Sequence, residues 1–442
     1  MRRRERVRDA GPPLAPLPPS MQEAKGLWRV ALPFLLLCYL GFAGLHAYRA
    51  PTGATGYQNA PDEAAHVAYV RSVAQGRLPT AADMQQDPVA YEWHQPPLYY
   101  AIAALFVSGG YTGLRWVSMV CGAVGIVLIY RTARLLLPDA PLIAIMASGL
   151  AALLPGRIAV TSTVNNDALL EVGFSATLLM LCVCLTNGLN LWRAGWIGLL
   201  LGLSVLTKAT ALLLLLVILF GFWMMRQQGE RVGELIRSGI WALGVAFAVS
   251  GWWFARNGAL YGEWVPLRAF QRAFSGTAQA ADMAAQLGGW ESYWQLALTW
   301  SFQSFWAVYG TARTATTGVP VFLPGQIYIL AGLLTVVGVC GGVRAHLRRR
   351  VDFTETQVAC IRVLFVAGGL VGASFLLFLT RYFQAQGRYL YPAILPISIL
   401  FAIGWRSMVP ERYMSVVVIG VLGLLMVFTV AFLRYALPDI GL

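Results

Sequence analysis

Apolar stretches of about 20 residues recur from Leu27 to Leu433 with short polar breaks between them, the pattern of helices crossing a hydrocarbon core about 30 Å thick. The pattern predicts spans near 27–47, 114–136, 140–160, 168–187, 194–207, 208–225, 237–255, 322–343, 358–379, 389–407 and 413–433. No break is long and polar enough to fold as a separate soluble domain. The expected fold class is therefore an all-α polytopic membrane protein with about 11 transmembrane helices, its single membrane domain running over 27–442. Residues 1–26, basic and proline-rich, are expected to form a disordered cytoplasmic tail, because such a segment has no apolar surface with which to build a core. The first apolar run exceeds a signal-peptide core and is expected to be an uncleaved anchor.

The arginines give the orientation. The tail, Arg131 with Arg134, Arg226 with Arg231 and Arg237, the cluster Arg344 to Arg350, and Arg406 with Arg412 all fall on one side of the predicted membrane, the cytoplasmic side by the positive-inside rule. Two long loops, 48–113 and 256–321, then lie outside. In the first, Leu98 to Ser108 is apolar but too short to cross and is expected to be a re-entrant or interfacial helix. In the second, Trp290, Trp294, Leu298, Phe302, Phe305 and Tyr309 follow one another at spacings of four and three, so they share one helix face. That face is expected to lie on the membrane or to pack against the bundle.

Composition narrows the function classes. The 442 residues are 58% hydrophobic and 12% charged, far from the balance of soluble domains. The net charge of +13 sits in short clusters between apolar segments and not on one polar face, so it reads as a topology signal and gives no case for nucleic acid. All six cysteines fall in apolar segments, which argues against a disulfide framework or a cysteine metal site. The chain has no P-loop, no paired Rossmann glycines, no H-E-x-x-H and no G-x-S-x-G, so an activated donor, if one is used, must arrive from the membrane or the outer side.

Against this background the stretch "PDEAAHVAYVRSVAQGRLP" stands out. Asp62 and His66 are four apart and Glu63 and His66 three apart, so the three are expected to face one pocket from the first turns of a helix capped at Asp62. The same side of the membrane receives Asp87, the segment "YEWHQPPLYY" with Glu92, Trp93 and His94, and Asn165, Asn166 and Asp167 at the outer end of another span. Acidic and amide groups at membrane depth bind sugars, cations or protons. Lys208, one of only two lysines, divides an apolar run too long for one helix, and the break places its ammonium at the outer interface. Arg256 and Arg388 also fall at outer span ends, where they are expected to meet phosphate or the acidic cluster.

These pieces resemble, in order along most of the chain, the GT-C superfamily of membrane glycosyltransferases, particularly the protein O-mannosyltransferase and aminoarabinose-transferase type. The resemblance rests on the stretch above, on "HQPPLYYAIAALF", "LSVLTKATALLLL" and "GRYLYPAILPISIL". It implies a GT-C-like fold in which the first outer-loop acid, here Asp62, is the catalytic base toward an acceptor hydroxyl, with Glu63 as its helper and His66 in support. It implies that Lys208 and Arg388 lie near a donor phosphate, with Arg256, His94, Asp167 and Tyr389 as further substrate contacts. Ala65 and His66 stand where the aminoarabinose-transferase pattern often has an arginine, which places the chain nearer poorly characterised bacterial members.

The reading that follows is an integral membrane glycosyltransferase moving a sugar from a polyprenyl-phosphate donor to an acceptor hydroxyl on a lipid, glycan or protein. The expected location is the inner membrane, with the N-terminus cytoplasmic and the site on the outer face. No cofactor is fixed, and a divalent cation is compatible with the acidic groups. The alternatives are a transporter or flippase for a lipid-linked or polar substrate, and an inactive lipid-binding assembly subunit.

Overall fold

A computed structural model describes residues 19–50, 52, 62–273, 276–308 and 322–436. Most of the predicted tail, the predicted face residue Tyr309 and most of the chain between the first helix and Asp62 lie outside these residues. The helices are α1 (Pro19–Arg49), α2 (Glu63–Ala74), α3 (Ala81–Gln86), α4 (Leu98–Ala104), α5 (Gly110–Leu136), α6 (Pro141–Leu153), α7 (Pro155–Thr161), α8 (Asp167–Asn187) and α9 (Leu191–Val205). They continue with α10 (Leu213–Gln227), α11 (Val232–Tyr261), α12 (Leu267–Ala273), α13 (Ala280–Gln286), α14 (Trp290–Trp306), α15 (Gly325–Asp352), α16 (Glu355–Leu379), α17 (Ile394–Met408) and α18 (Met414–Ala436). Among the described residues the strand content is one isolated bridge, Gln279 to Tyr382, so the fold is the all-α membrane architecture expected.

Among the described residues nine helices are long and apolar enough to cross a membrane, and α6 with α7 passes as a tenth span broken by a 63° bend. The predicted span 140–160 is this bent pair. Its break follows from Pro155, whose ring excludes a continuous helix and leaves Leu154 extended at φ −80°, ψ 110°. The predicted span 194–207 is the 15-residue α9, shorter than a full crossing.

At the bend the chain buries an ion pair. Arg157 and Glu171 are 0% and 1% exposed, and Arg157 Nε donates to Glu171 Oε2 at 2.9 Å while its terminal nitrogens donate to Ala151 O at 2.8 Å and Gly122 O at 2.7 Å. The Tyr39 ring lies 5.5 Å from the guanidinium carbon. Gly125 has no side chain because any Cβ there would collide with the Glu171 carboxylate. With no water at this depth, the pair and its carbonyls satisfy one another or remain costly orphans. Elsewhere small residues let helices touch at backbone distance, as at Gly341 of α15 against Gly404 of α17.

The loop between α11 and α15 divides the aromatic stripe between the two surroundings expected for it. In α14 the buried positions are Tyr293, Ala297, Ser301, Ser304 and Trp306, whereas Trp290 and Leu298 of the predicted stripe are about half exposed. The helix packs on the bundle through its small and hydroxyl-bearing side. Hydroxyls win the contact because Ser301 and Ser304 return their hydrogen bonds to Ala297 O and Trp300 O at 2.6 Å, leaving a thin face for close approach. Phe302 and Phe305 sit at its margin against the core.

Removing one partner of the buried pair leaves an uncompensated charge. Arg157→Leu is expected to lower stability by about 3–5 kcal/mol, and Arg157→Leu with Glu171→Leu to recover most of it. Reversible unfolding in detergent measures both, and a single variant as stable as the parent would contradict the structural role given to the pair.

Candidate functional site

One end of the bundle and the loop between α1 and α5 enclose a cavity of about 360 Å³. Its polar side is built from Asp62 and His66 of the α2 region, Tyr91, Glu92 and His94 of a 3₁₀ turn over Pro88–His94, Asp167 at the start of α8, Lys208 between α9 and α10, and Arg388 with Tyr389 in a second 3₁₀ turn over Gly387–Ala393. Its apolar side is Leu170 of α8 and Val371, Phe375 and Phe378 of α16. Seven of the nine residues singled out by the sequence line it: Asp62, His66, His94, Asp167, Lys208, Arg388 and Tyr389.

Asp62 sits at the N-cap position of α2, but not as a cap. It is in the left-handed region at φ 61°, the one non-glycine residue there among those described, and its side chain makes no capping hydrogen bond. The carboxylate turns into the cavity, accepting from Tyr91 OH at 2.9 Å on Oδ1 and pairing through Oδ2 with Arg388. Burial alone would raise its pKa, yet the Arg388 charge, with His66 and these hydrogen bonds, outweighs burial and holds Asp62 below the ordinary carboxylate range.

Glu63 points the other way, which corrects its assignment as a helper. It is fully buried and clamped by Arg115, whose Nε and terminal nitrogen reach the two carboxylate oxygens at 2.7 and 2.5 Å. Val164 N donates to Glu63 Oε1 at 2.9 Å, and the other arm of Arg115 donates to Ala47 O at 2.5 Å and Ala50 O at 3.0 Å. One residue along a helix is a turn of about 100°, so the neighbour of a cavity residue faces the bundle wall. Helical spacing places Asp62 and His66 on a common face and Glu63 off it, a distinction that a cluster read as three acids and bases blurs.

His66 Nδ1 is 2.9 Å from Tyr100 OH, and burial pushes the imidazole below its usual pKa, toward the neutral form. His94 is likewise held neutral: burial carries it down to about 4, while its Nδ1 meets Tyr91 O at 3.1 Å and its Nε2 the Gln95 amide at 3.1 Å. Lys208 follows the end of α9 in extended conformation, so the break expected there is present, and its Nζ donates to Asp167 Oδ1 at 2.5 Å. The ammonium is thus tethered inside the cavity, with 17% of the side chain exposed. Arg388 has its Nε buried with no hydrogen-bond partner, a donor left over after the pair with Asp62.

Arg256 is outside this cavity. Its terminal nitrogen donates to Pro79 O at 2.9 Å and its guanidinium carbon lies 4.9 Å from the Trp253 ring centre, so it fastens the loop after α2 to α11 and touches neither the acidic cluster nor the cavity. Asn166 is also structural, its amide donating to Gln95 Oε1 and Thr207 O, both at 3.3 Å. Glu92 and Tyr91 belong to the site and were not singled out. Their signal was the proximity of "YEW" to His94, weaker than a spacing rule. Among the described residues no group of three or more His, Cys, Asp or Glu side chains is disposed to hold a metal ion.

The family described as dolichyl-phosphate-mannose-protein mannosyltransferase matches residues 94–253, less than half of the chain. No curated protein matches. Among solved structures the chain is similar to the oligosaccharyltransferase of Archaeoglobus fulgidus in complex with zinc and sulfate, at 12% identity and a TM-score of 0.56 over 91% of this chain and 52% of that one. AglB from the same organism, in complex with an inhibitory peptide and a dolichol-phosphate, gives 10% and 0.56 over 92% and 56%. ArnT from Cupriavidus metallidurans, bound to undecaprenyl phosphate, gives 13% and 0.52 over 90% and 63%. The chain therefore spans about half the length of the archaeal proteins, and at these identities the likeness is one of fold.

If Glu63 is a clamp, its loss is a folding defect. Glu63→Ala is expected to cost about 3–5 kcal/mol through the stranded Arg115, whereas His66→Ala, which breaks no ion pair, should leave stability within about 1.5 kcal/mol. Thermal unfolding of the two purified variants checks this, and equal stabilities would refute the division of roles.

Proposed function

We propose, from the GT-C fold of this chain, that it is a membrane glycosyltransferase taking a sugar from a polyprenyl-phosphate carrier, with Asp62 as the general base toward an acceptor hydroxyl. The observation that carries the reading is the convergence in one cavity of two carboxylate–cation pairs, Asp62 with Arg388 and Asp167 with Lys208, beside an apolar wall. The dolichol-phosphate and undecaprenyl phosphate in the similar structures support the same class of donor here. The arginine distribution supports, as part of this proposal, a cavity on the outer face of the inner membrane with the N-terminus in the cytoplasm.

The chemistry asks little of the protein beyond alignment and charge. As the acceptor oxygen bonds to the anomeric carbon, the bond from that carbon to the phosphate oxygen breaks and its electron pair leaves with the carrier phosphate. The base takes the hydroxyl proton, and the cations stabilise the phosphate that departs. Arg388 suits the last task because its Nε is a buried donor without a partner, so it can contact phosphate before its pair with Asp62 loosens. When phosphate competes for the guanidinium, Asp62 is released toward the acceptor, which couples donor arrival to base activation. Lys208 has the same relation to Asp167. The walls Phe375 and Phe378 of α16 and Leu170 of α8 offer apolar surface for the first units of the carrier.

Two measurements on gently purified protein test this reading. Asp62→Asn keeps the side-chain shape, and asparagine tolerates the left-handed backbone, so the variant should stay folded and lose at least about 100-fold in transfer rate. Lipid mass spectrometry should find a polyprenyl phosphate or its glycosylated form on the parent and on Asp62→Asn, and little on Lys208→Ala. Near-normal turnover of Asp62→Asn removes the base assignment. Bulk phospholipid alone in all three removes the carrier and turns attention to ion-coupled transport.

A further inference from the structure

Glu92 is the buried carboxyl that the preceding account leaves unused. It sits in the 3₁₀ turn over Pro88–His94, lines the cavity with Asp62 and His66, and is 8% exposed. Its Oε2 is buried with no hydrogen-bond partner. Each other buried carboxyl among the described residues has a cation: Glu63 has Arg115, Glu171 has Arg157 and Asp167 has Lys208. Glu92 forms no such pair. An orphaned acceptor of this kind costs about 1–3 kcal/mol, more if charged, so its presence in a cavity calls for a reason.

We propose that Glu92 is a second catalytic carboxyl of this site, receiving the proton that Asp62 draws from the acceptor hydroxyl. The inference rests on the transferase reading and adds a step to it. Asp62 is well placed to take the proton but poorly suited to keep it, because Arg388 and Tyr91 stabilise its charged form. At Glu92 the balance is opposite: burial disfavours the carboxylate, the Asp62 charge adds to this, and His66, Lys208 and a hydrogen bond from Gln95 oppose it without reversing it, so the pKa lies above the usual carboxylate range. Two carboxyls whose surroundings drive their proton affinities apart can divide abstraction and storage between them. The proton passes from the acceptor oxygen to Asp62, then to Glu92, and leaves to water before the next turnover, with no change in redox state. Asp62 is thereby returned to its ionised form beside Arg388.

Asp62, His66, Lys208, Tyr69, Tyr91 and Tyr100 act on Glu92 electrostatically, and His94, Asp167 and Arg388 line the same cavity. His66 and His94 are held toward their neutral forms and Lys208 and Arg388 are fixed cations, so the acid-side limb of activity is left to the three carboxyls of the cavity, of which Asp62 and Asp167 are ion-paired and Glu92 is not. Glu92 must be ionised to accept. Activity should therefore rise with pH through the raised Glu92 pKa and be lost as pH falls below it.

The test is the pH dependence of kcat for the intact membrane protein with its carrier donor. Glu92→Gln should lose about 100-fold in kcat with donor binding kept, and its acid limb should move to lower pH, where the ion-paired Asp62 and Asp167 titrate; Glu92→Asp should keep a limb near the parent's. A Glu92→Gln protein with the parent's rate and acid limb overturns the inference while the transferase reading stands. A parent that transfers no sugar under conditions where it binds polyprenyl phosphate overturns the transferase reading itself. Infrared difference spectra of the parent, stepped in pH without substrate, supply a readout that does not depend on turnover. A carboxylic-acid band persisting above the ordinary carboxylate range, and shifted in Glu92→Asp, supports the proton store, and its absence from the parent overturns it.

Discussion

The pair of Glu63 and Arg115 is the constraint on which the site depends. It joins four pieces of chain: the first turn of α2, the outer part of α5, the C-terminal end of α1 through Ala47 O and Ala50 O, and the turn before α8 through Val164 N. Each partner is close to fully buried, so neither can lose the other without leaving a charge in a low-dielectric setting. Because Glu63 immediately follows Asp62, fixing it into the bundle fixes the rotation of α2 and so presents Asp62 and His66 to the cavity. The left-handed backbone at Asp62 is the local cost of bringing the chain into the helix at that angle.

The same logic distinguishes two uses of ionic pairs in this protein. Glu63 with Arg115 and Glu171 with Arg157 are surrounded by carbonyls and amides that satisfy them completely, and they act as joints between helices. Asp62 with Arg388 and Asp167 with Lys208 border open space, and Arg388 keeps an unsatisfied Nε, which suits groups that exchange partners. Burial fraction alone does not separate these classes. The number of hydrogen bonds on each charged group does.

Much of this was legible in the chain. Hydrophobic run length placed the spans, and Lys208 in a run too long for one helix located the break between α9 and α10, because an ammonium cannot remain mid-span. The short apolar stretch after Pro96 and Pro97 is α4, with Tyr99 and Tyr100 buried. What pattern could not supply was partner choice across long separations. Glu63 finds Arg115 52 residues away, and Arg388 reaches Asp62 across 326. Arg256 was expected to meet phosphate or the acidic cluster, and nothing in the pattern signalled that backbone carbonyls at Leu78 and Pro79 would take one of its terminal nitrogens. The aromatic stripe of the second loop was read as facing the membrane or the bundle, and it is divided: Phe302 and Phe305 reach the core while Trp290 and Leu298 stay half exposed, since close helix contact in a membrane bundle favours small and hydroxyl side chains.

Gly387 carries a consequence of its own. Its amide donates to Ser304 Oγ at 2.7 Å, the Tyr391 hydroxyl four residues on donates to Phe305 O at 2.9 Å, and a side chain at Gly387 would run into the backbone of Phe305. The turn that bears Arg388 is thus seated directly on α14, an element of the second outer loop that contributes nothing to the cavity lining. The height of the guanidinium within the cavity is set from outside it. Sequence drift in α14 would then retune the grip on an anion while every lining residue stayed the same, so comparison of such chains by their cavity residues alone would miss where their preferences diverge.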